Sequence, residues 1–209
     1  MNLSEIQHVH MIGIGGIGMS GLARLFLHEK KGVSGSDRSM SAITQALEKE
    51  GVEFFPDQGA HNIVDGIDVV VYTEAMPKDH PELLEAQKKK IKTMSYFEAL
   101  GEIANQYYLI AVAGTHGKTT TTAMTVDVLE EAGLDPTAIV GSLRSKTGSN
   151  FRAGKSKYFV VEACEYKRDF LSLRPDVLAI TNIEEEHLDY YKDLDDIQCA
   201  FRELIDQVN

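Results

Sequence analysis

A glycine-rich turn, Gly114-Thr115-His116-Gly117-Lys118-Thr119, stands between a strand-like run and a helix-like run, and this junction limits the fold more than any other stretch. Tyr107 to Ala113 has the length and apolar character of a strand buried on both faces of a parallel sheet. Beyond Lys118, the residues Ala123, Met124, Val126, Val128, Leu129 and Ala132 predict the apolar stripe of a helix, with Gly133 as its stop. A turn of this kind aims backbone N–H groups and the positive end of the helix dipole at one point, which suits a phosphate chain. Lys118 then reaches the outer phosphates, and the Thr119 hydroxyl is a Mg²⁺ ligand. The position of the first glycine in the full Walker pattern is Val112, so the loop is a compact variant. A chance lysine in a structural turn accounts less well for the flanking strand and helix.

A second glycine turn lies near the start of the chain. Val9 to Ile14 reads as a strand that enters Gly13-Ile14-Gly15-Gly16-Ile17-Gly18, and a helix carrying Leu22, Ala23, Leu25, Phe26 and Leu27 follows. A short strand, Gly32 to Ser36, then ends at Asp37, at about the 20-residue spacing of a dinucleotide-fold fingerprint. The glycines allow a pyrophosphate to approach the backbone, and the acid sits near a ribose.

Between the two turns, Ser41 to Glu50 is a predicted helix, Val52 to Phe55 and Ile67 to Tyr72 are strands, and Pro81 opens a helix to Lys89. The run Lys88 to Lys90 reads as a solvated helix end. Ile91 to Met94 is a further strand, and Ser95 with Glu98 forms a capping box for a helix reaching about Gln106. After the phosphate turn, Thr137 to Val140, Tyr158 to Val161 and Asp176 to Thr181 are strands, with 141–157 as loop. Ile197, Phe201, Leu204, Ile205 and Val208 mark a last helix capped by Asp195. Alternating strands and helices imply α/β architecture with parallel, doubly wound sheets. The expected division is a Rossmann-like domain over 1–104, then a partial P-loop-type α/β ATP-binding domain over 105–209. Ligands of such sheets gather at the carboxyl ends of strands. The phosphate turn, Glu162, Asn182 and His187 are therefore expected to converge.

Composition narrows the function. A formal net charge of −11 disfavours a general nucleic-acid or anionic-membrane binder. The two cysteines, Cys164 and Cys199, make no disulfide framework. No stretch approaches the roughly 18 apolar residues of a membrane span, and His8, His10 and several glycines interrupt any signal-like start. The expected location is cytoplasmic.

Two phosphate turns in one chain suit a synthetase that holds a nucleotide-linked substrate on one and ATP on the other. Lys118 and Mg²⁺ then stabilise charge developing in phosphoryl transfer. Thr119 and Glu162 are hard-oxygen ligands for one such ion. His187 is a less usual Mg²⁺ ligand, and its acidic neighbours Glu186 and Asp189 offer it ordinary hydrogen-bond partners instead.

HVHMIGIGGIGMSGLA (8–23), VSGSD (33–37), AGTHGKTTTT (113–122), VVEACEYKRDFL (160–171) and TNIEEEHLDYY (181–191) closely resemble the Mur ligase family, in its order and through nearly the whole chain. EACEY resembles the version in some alanine-adding members of Gram-positive type. The resemblance implies an ATP-dependent amide-bond ligase of peptidoglycan precursor synthesis, which activates the lactyl carboxylate of UDP-N-acetylmuramate as an acyl phosphate for attack by L-alanine. Carried over by motif, Gly13, Gly15, Gly16, Ile17, Gly18, Ser36 and Asp37 bind the UDP substrate. Gly114, Thr115, His116, Gly117, Lys118, Thr119 and Thr120 bind ATP. Thr119, Glu162 and His187 hold the metal ions, and Lys118, Glu162 and His187 are the catalytic set. Asn182 lies in the TNI element.

Two departures from the pattern stand out. Glu186 replaces the Asp that often precedes the motif histidine, a change expected to be tolerated. Family members are three-domain enzymes of more than twice this length, so the chain is expected to be a truncated form unable to complete ligation alone. Three other readings compete. A related recycling ligase attaches a tripeptide to the same UDP-sugar. A UDP-sugar-binding module without catalysis would share the first turn. An NAD-dependent dehydrogenase accounts for the first fingerprint but not for the second turn.

Overall fold

The computed structural model describes residues 5–209, and the chain forms two compact units that divide after Ala99. In the first, β1 (His8–Ile12) leads through the glycine turn into α1 (Ile17–His28), followed by β2 (Gly32–Ser36), α2 (Ala42–Lys49) and β3 (Glu53–Phe55). β4 (Val69–Tyr72), α3 (Pro81–Lys88), β5 (Lys92–Ser95) and α4 (Tyr96–Ala104) continue the chain, and the division falls inside α4. The sheet order is β3-β2-β1-β4-β5 and every pairing is parallel. The order reverses between β1 and β4, so the glycine turn leaving β1 stands at the switch point where such sheets open a ligand crevice.

Local chemistry accounts for the element ends. Ser41 accepts from Thr44 N–H at 3.2 Å, and the Thr44 hydroxyl accepts from Ser41 N–H at 2.8 Å, a reciprocal cap for α2. Ser95 and Glu98 make the expected box before α4, with 2.7 and 3.2 Å bonds. Ile12, Ile63, Val70, Leu83 and Ala86 pack into one core, and burying each large aliphatic side chain contributes about 1.5–3 kcal/mol.

The second unit contains β6 (Tyr108–Ala113), α5 (Lys118–Glu131), β7 (Thr137–Ile139), β8 (Phe151–Arg152), β9 (Tyr158–Glu162), β10 (Val177–Ile180) and α6 (Leu194–Ile205). Its order is β10-β6-β9-β7-β8. This sheet is mixed, because β8 runs antiparallel to β7 inside the stretch read from sequence as loop. A two-residue strand carries too little periodicity to be seen locally. Arg152 of β8 pairs with Glu130 of α5 and, at 2.9 Å, with Asp135, so ionic contacts fix it as much as the ladder does.

The helices of this unit differ in detail from their sequence patterns. Met124 and Val128 are 62 and 66 % exposed, whereas Thr122 and Val126 are fully buried. Thr122 is tolerated inside because its hydroxyl donates to the Lys118 carbonyl at 2.8 Å. The inner face of α5 therefore follows a partly polar line that an apolar count misplaces. α6 is capped by Asp193, which accepts from Asp196 N–H at 2.9 Å, and not by Asp195. Ile197, Ala200, Phe201 and Leu204 are buried, while Ile205 and Val208 face solvent.

Candidate functional site

In the first unit the backbone of the glycine turn is tied to β2. Gly13 and Ile14 N–H donate to the Ser36 carbonyl at 2.8 and 3.1 Å, and Gly15 N–H donates to the Asp37 carboxylate at 2.9 Å. Gly13 has φ +79°, and a Cβ there would lie 2.5 Å from the Thr73 methyl. A Cβ on Gly18 would lie 2.8 Å from the Tyr96 ring, so this glycine lets the helix start pack closely. Gly16 is the exposed N-cap of α1 and no side chain caps it, so the positive end of the helix dipole opens at the mouth of the turn. The Ser36 hydroxyl points the other way, into the core, and donates to Glu82 at 2.7 Å.

Around the second turn, β6, β9 and β10 run parallel and deliver their carboxyl ends to one place. Gly114 has φ +129°, and a Cβ would fall 2.1 Å from the Thr181 hydroxyl. The segment leaving β10 thus presses on the turn. Thr115 N–H donates to the Asn182 carbonyl at 3.0 Å and His116 N–H to the Asn182 side-chain oxygen at 2.9 Å. The Thr181 hydroxyl donates to the His116 carbonyl at 2.6 Å, and Glu184 N–H donates to the Thr115 hydroxyl at 2.9 Å. Asn182 therefore acts as a scaffold for the turn. The His116 ring is exposed, 3.8 Å from the Glu184 carboxylate.

Gly117, with φ +80°, is the N-cap of α5, and no side chain caps it. The first-turn N–H groups of Lys118, Thr119 and Thr120 thus lie at the open end of the helix dipole. Thr119 donates its hydroxyl to Glu162 at 3.0 Å, and Glu162 also accepts from Gly141 N–H. Burial raises the Glu162 carboxyl above its ordinary range, against the opposing pull of those two hydrogen bonds and of Lys118. A desolvated carboxylate touching a hydroxyl is the hard-oxygen donor set that Mg²⁺ takes, so Thr119 and Glu162 fit that ion.

His187 sits elsewhere in the cluster. Its Nε2 is 3.7 Å from the Glu165 carboxylate, and its ring lies 4.8 Å from that of Tyr166, whose hydroxyl donates to Asp189 at 2.9 Å. The ligand atoms of Glu165, Glu186 and His187 all fall within 4.8 Å of one another. The structure thus gathers the proposed metal residues into two groups, Thr119 with Glu162, and His187 with Glu165 and Glu186. Glu165 is the residue that the sequence reading passed over. It is 2 % exposed and lies 3.0 Å from the Lys118 ammonium. Its signal was a second acid three places beyond Glu162 at the same strand end.

Fold and site together define a tandem α/β protein with a glycine turn at a strand–helix junction in each unit, the second armed with lysine, threonine and a strand-end carboxylate. The profile described as Mur ligase family, catalytic domain, matches residues 8–108, and the Mur ligase middle domain matches 112–209. The chain belongs to the Mur ligase family. A UDP-N-acetylmuramate--L-alanine ligase of Agathobacter rectalis is 48% identical over 204 residues, covering 97% of this chain and 44% of the relative. UDP-N-acetylmuramate-alanine ligase from Thermotoga maritima superposes with a TM-score of 0.89 at 31% identity, covering 96% of this chain and 47% of that one. A UDP-N-acetylmuramate:L-alanyl-gamma-D-glutamyl-meso-diaminopimelate ligase from Neisseria meningitides gives a TM-score of 0.89 at 30% identity, covering 98 and 69%. The chain therefore spans under half the length of the alanine-ligase relatives. Among the described residues, no helix is long and apolar enough to cross a membrane.

Proposed function

We propose that this chain is the part of an ATP-dependent ligase that binds UDP-N-acetylmuramate on its first unit and the phosphates of ATP on its second, in the reaction that joins L-alanine to the sugar's lactyl carboxylate. The observation that carries the reading is the Thr119–Glu162 contact at the open N-terminus of α5, beside Lys118. On the first unit, the positive dipole end of α1, which starts at Gly16 with no side-chain cap, favours the pyrophosphate, while Asp37 holds the turn in shape through Gly15. On the second, the α5 N-terminus and Lys118 attract the polyphosphate, and Thr119 and Glu162 hold Mg²⁺. When bound, that ion neutralises phosphate charge and orients the terminal phosphoryl group. The carboxylate oxygen then takes this group, ADP leaves, and the amine displaces phosphate to give the amide. ATP as co-substrate fits a cytoplasmic reaction.

The two solved ligases match this fold equally well, so the fold does not choose between an alanine and a tripeptide amine. The 48% identity to an alanine-adding relative favours L-alanine.

Calorimetric titration of the chain with UDP-N-acetylmuramate, with NADH as control, tests the first unit. Binding of the UDP-sugar that is lost in Gly16→Trp supports the reading, and binding of NADH alone overturns it.

A further inference from the structure

We propose that Glu165 is a positioning residue that makes the phosphate turn selective for a nucleotide accompanied by a divalent cation. It holds the Lys118 ammonium until phosphate replaces it. The inference rests on the nucleotide reading above.

The Lys118 ammonium donates to the carbonyls of Gly114 and Thr115, the latter at 2.9 Å, and to the Glu165 carboxylate at 3.1 Å. An ammonium has three donors, and these partners take all three. An incoming phosphate must displace one of them. The two carbonyls are neutral parts of the turn, whereas the carboxylate repels phosphate directly. The lysine–carboxylate contact is therefore the one that phosphate exchanges.

The Glu165 side chain is 2 % exposed, and the backbone that carries it is held in place. Its backbone carbonyl accepts from the Tyr191 hydroxyl and, at 3.0 Å, from Arg168 N–H. Lys167 and Arg168 follow it with φ +53° and +61°, consecutive left-handed residues that turn the chain sharply. The Arg168 guanidinium is anchored to Asp196 at 2.8 Å and to Glu203. The buried carboxylate faces His187 at 3.7 Å and shares a 4.8 Å cluster with Glu186. Once Lys118 turns to phosphate, two carboxylates and a polyphosphate stand together with no lysine to offset them. A divalent cation restores the balance. Glu165 thus penalises the bare nucleotide and makes nucleotide and cation bind cooperatively, and linkage makes that effect reciprocal.

The test is calorimetric titration of the chain with ADP, with and without Mg²⁺, in the unmodified protein, E165Q and E165D. E165Q keeps the shape and an acceptor oxygen but removes the charge. It is expected to bind metal-free ADP at least about fivefold more tightly, and to gain correspondingly less from Mg²⁺. E165D keeps the charge and should stay within about twofold of the unmodified chain. Metal-free ADP affinity in folded E165Q that equals or falls below the original overturns the proposal, as does E165D behaving like E165Q. Should E165Q fail to fold, carbon-13 NMR of the Glu165 carboxyl in the unmodified chain reads the same exchange. The signal is expected to move when metal-free ADP is added, and an unmoved signal at saturation overturns the proposal. Failure of the unmodified chain to bind ADP at all, with or without Mg²⁺, overturns the nucleotide reading itself and this inference with it.

Discussion

At the scale of single residues, the second turn holds two glycines with different duties. Gly114 has φ +129° and no room for a methyl group, because Thr181 stands 2.1 Å from the position a Cβ would take. Gly117 has φ +80°, but its nearest neighbour is 4.0 Å from that position. Gly117→Ala should therefore cost only the left-handed penalty, about 1–2 kcal/mol. Gly114→Ala should cost clearly more and loosen the Thr181–Asn182 clamp; urea unfolding of the two variants side by side checks the order. Lys118 also has a structural charge to balance. Lys118→Met leaves Glu165 buried without its cation, at a cost of about 3 kcal/mol. The double variant Lys118→Met/Glu165→Gln should recover most of this, and a double-mutant cycle measured by urea unfolding decides it.

Among elements, α5 is the hub of the second unit. Val126 is fully buried against Ala138, Val140 and Val160, while Val128 faces solvent. Val126→Ala should destabilise by about 1–3 kcal/mol, and Val128→Ala should stay within about 0.5 kcal/mol, by thermal or urea unfolding. The outer end of α5 is tied to its surroundings by charge. Glu130 pairs with Arg144 at 2.7 Å, with Lys146 at 3.3 Å and with Arg152 of β8. Burial pushes the Glu130 carboxyl upward, but hydrogen bonds from Arg144, Arg152 and Lys146 outweigh it and bring it from 4.5 down to about 2. A carboxyl depressed in the folded state adds stability that is complete above its unfolded value and disappears as pH falls through its folded one. The thermal midpoint should accordingly drop between pH 4.5 and about 2, and Glu130→Gln should flatten that drop.

At the scale of the whole molecule, two units with separate glycine turns imply two separate footprints. Hydrogen–deuterium exchange should show UDP-N-acetylmuramate protecting residues 13–18, and ADP with Mg²⁺ protecting 113–120 and the segments around Glu162 and Asn182. Protection of one set by both ligands would contradict the assignment of ligands to units. Most of this plan was legible in the chain. A strand, a glycine turn and a helix follow one another within a few residues, so hydrophobic period and backbone freedom write them into a short window, and β1–α1 and β6–α5 formed where that window placed them.

What the sequence determined by itself is therefore whatever local rules dictate: the α/β alternation, the two phosphate-type turns, the cap at Ser95, and family membership through ordered motifs. Tertiary structure alone decided which groups face one another. It set the antiparallel β8, whose two residues are fixed by Arg152 reaching α5, and it turned Thr122 rather than Met124 inward. It also brought Glu165 against Lys118 and within 3.7 Å of His187. The physical reason is the same in each case. Charge pairing and burial depend on distances across the sheet between residues tens of positions apart, and no local pattern along the chain records those distances.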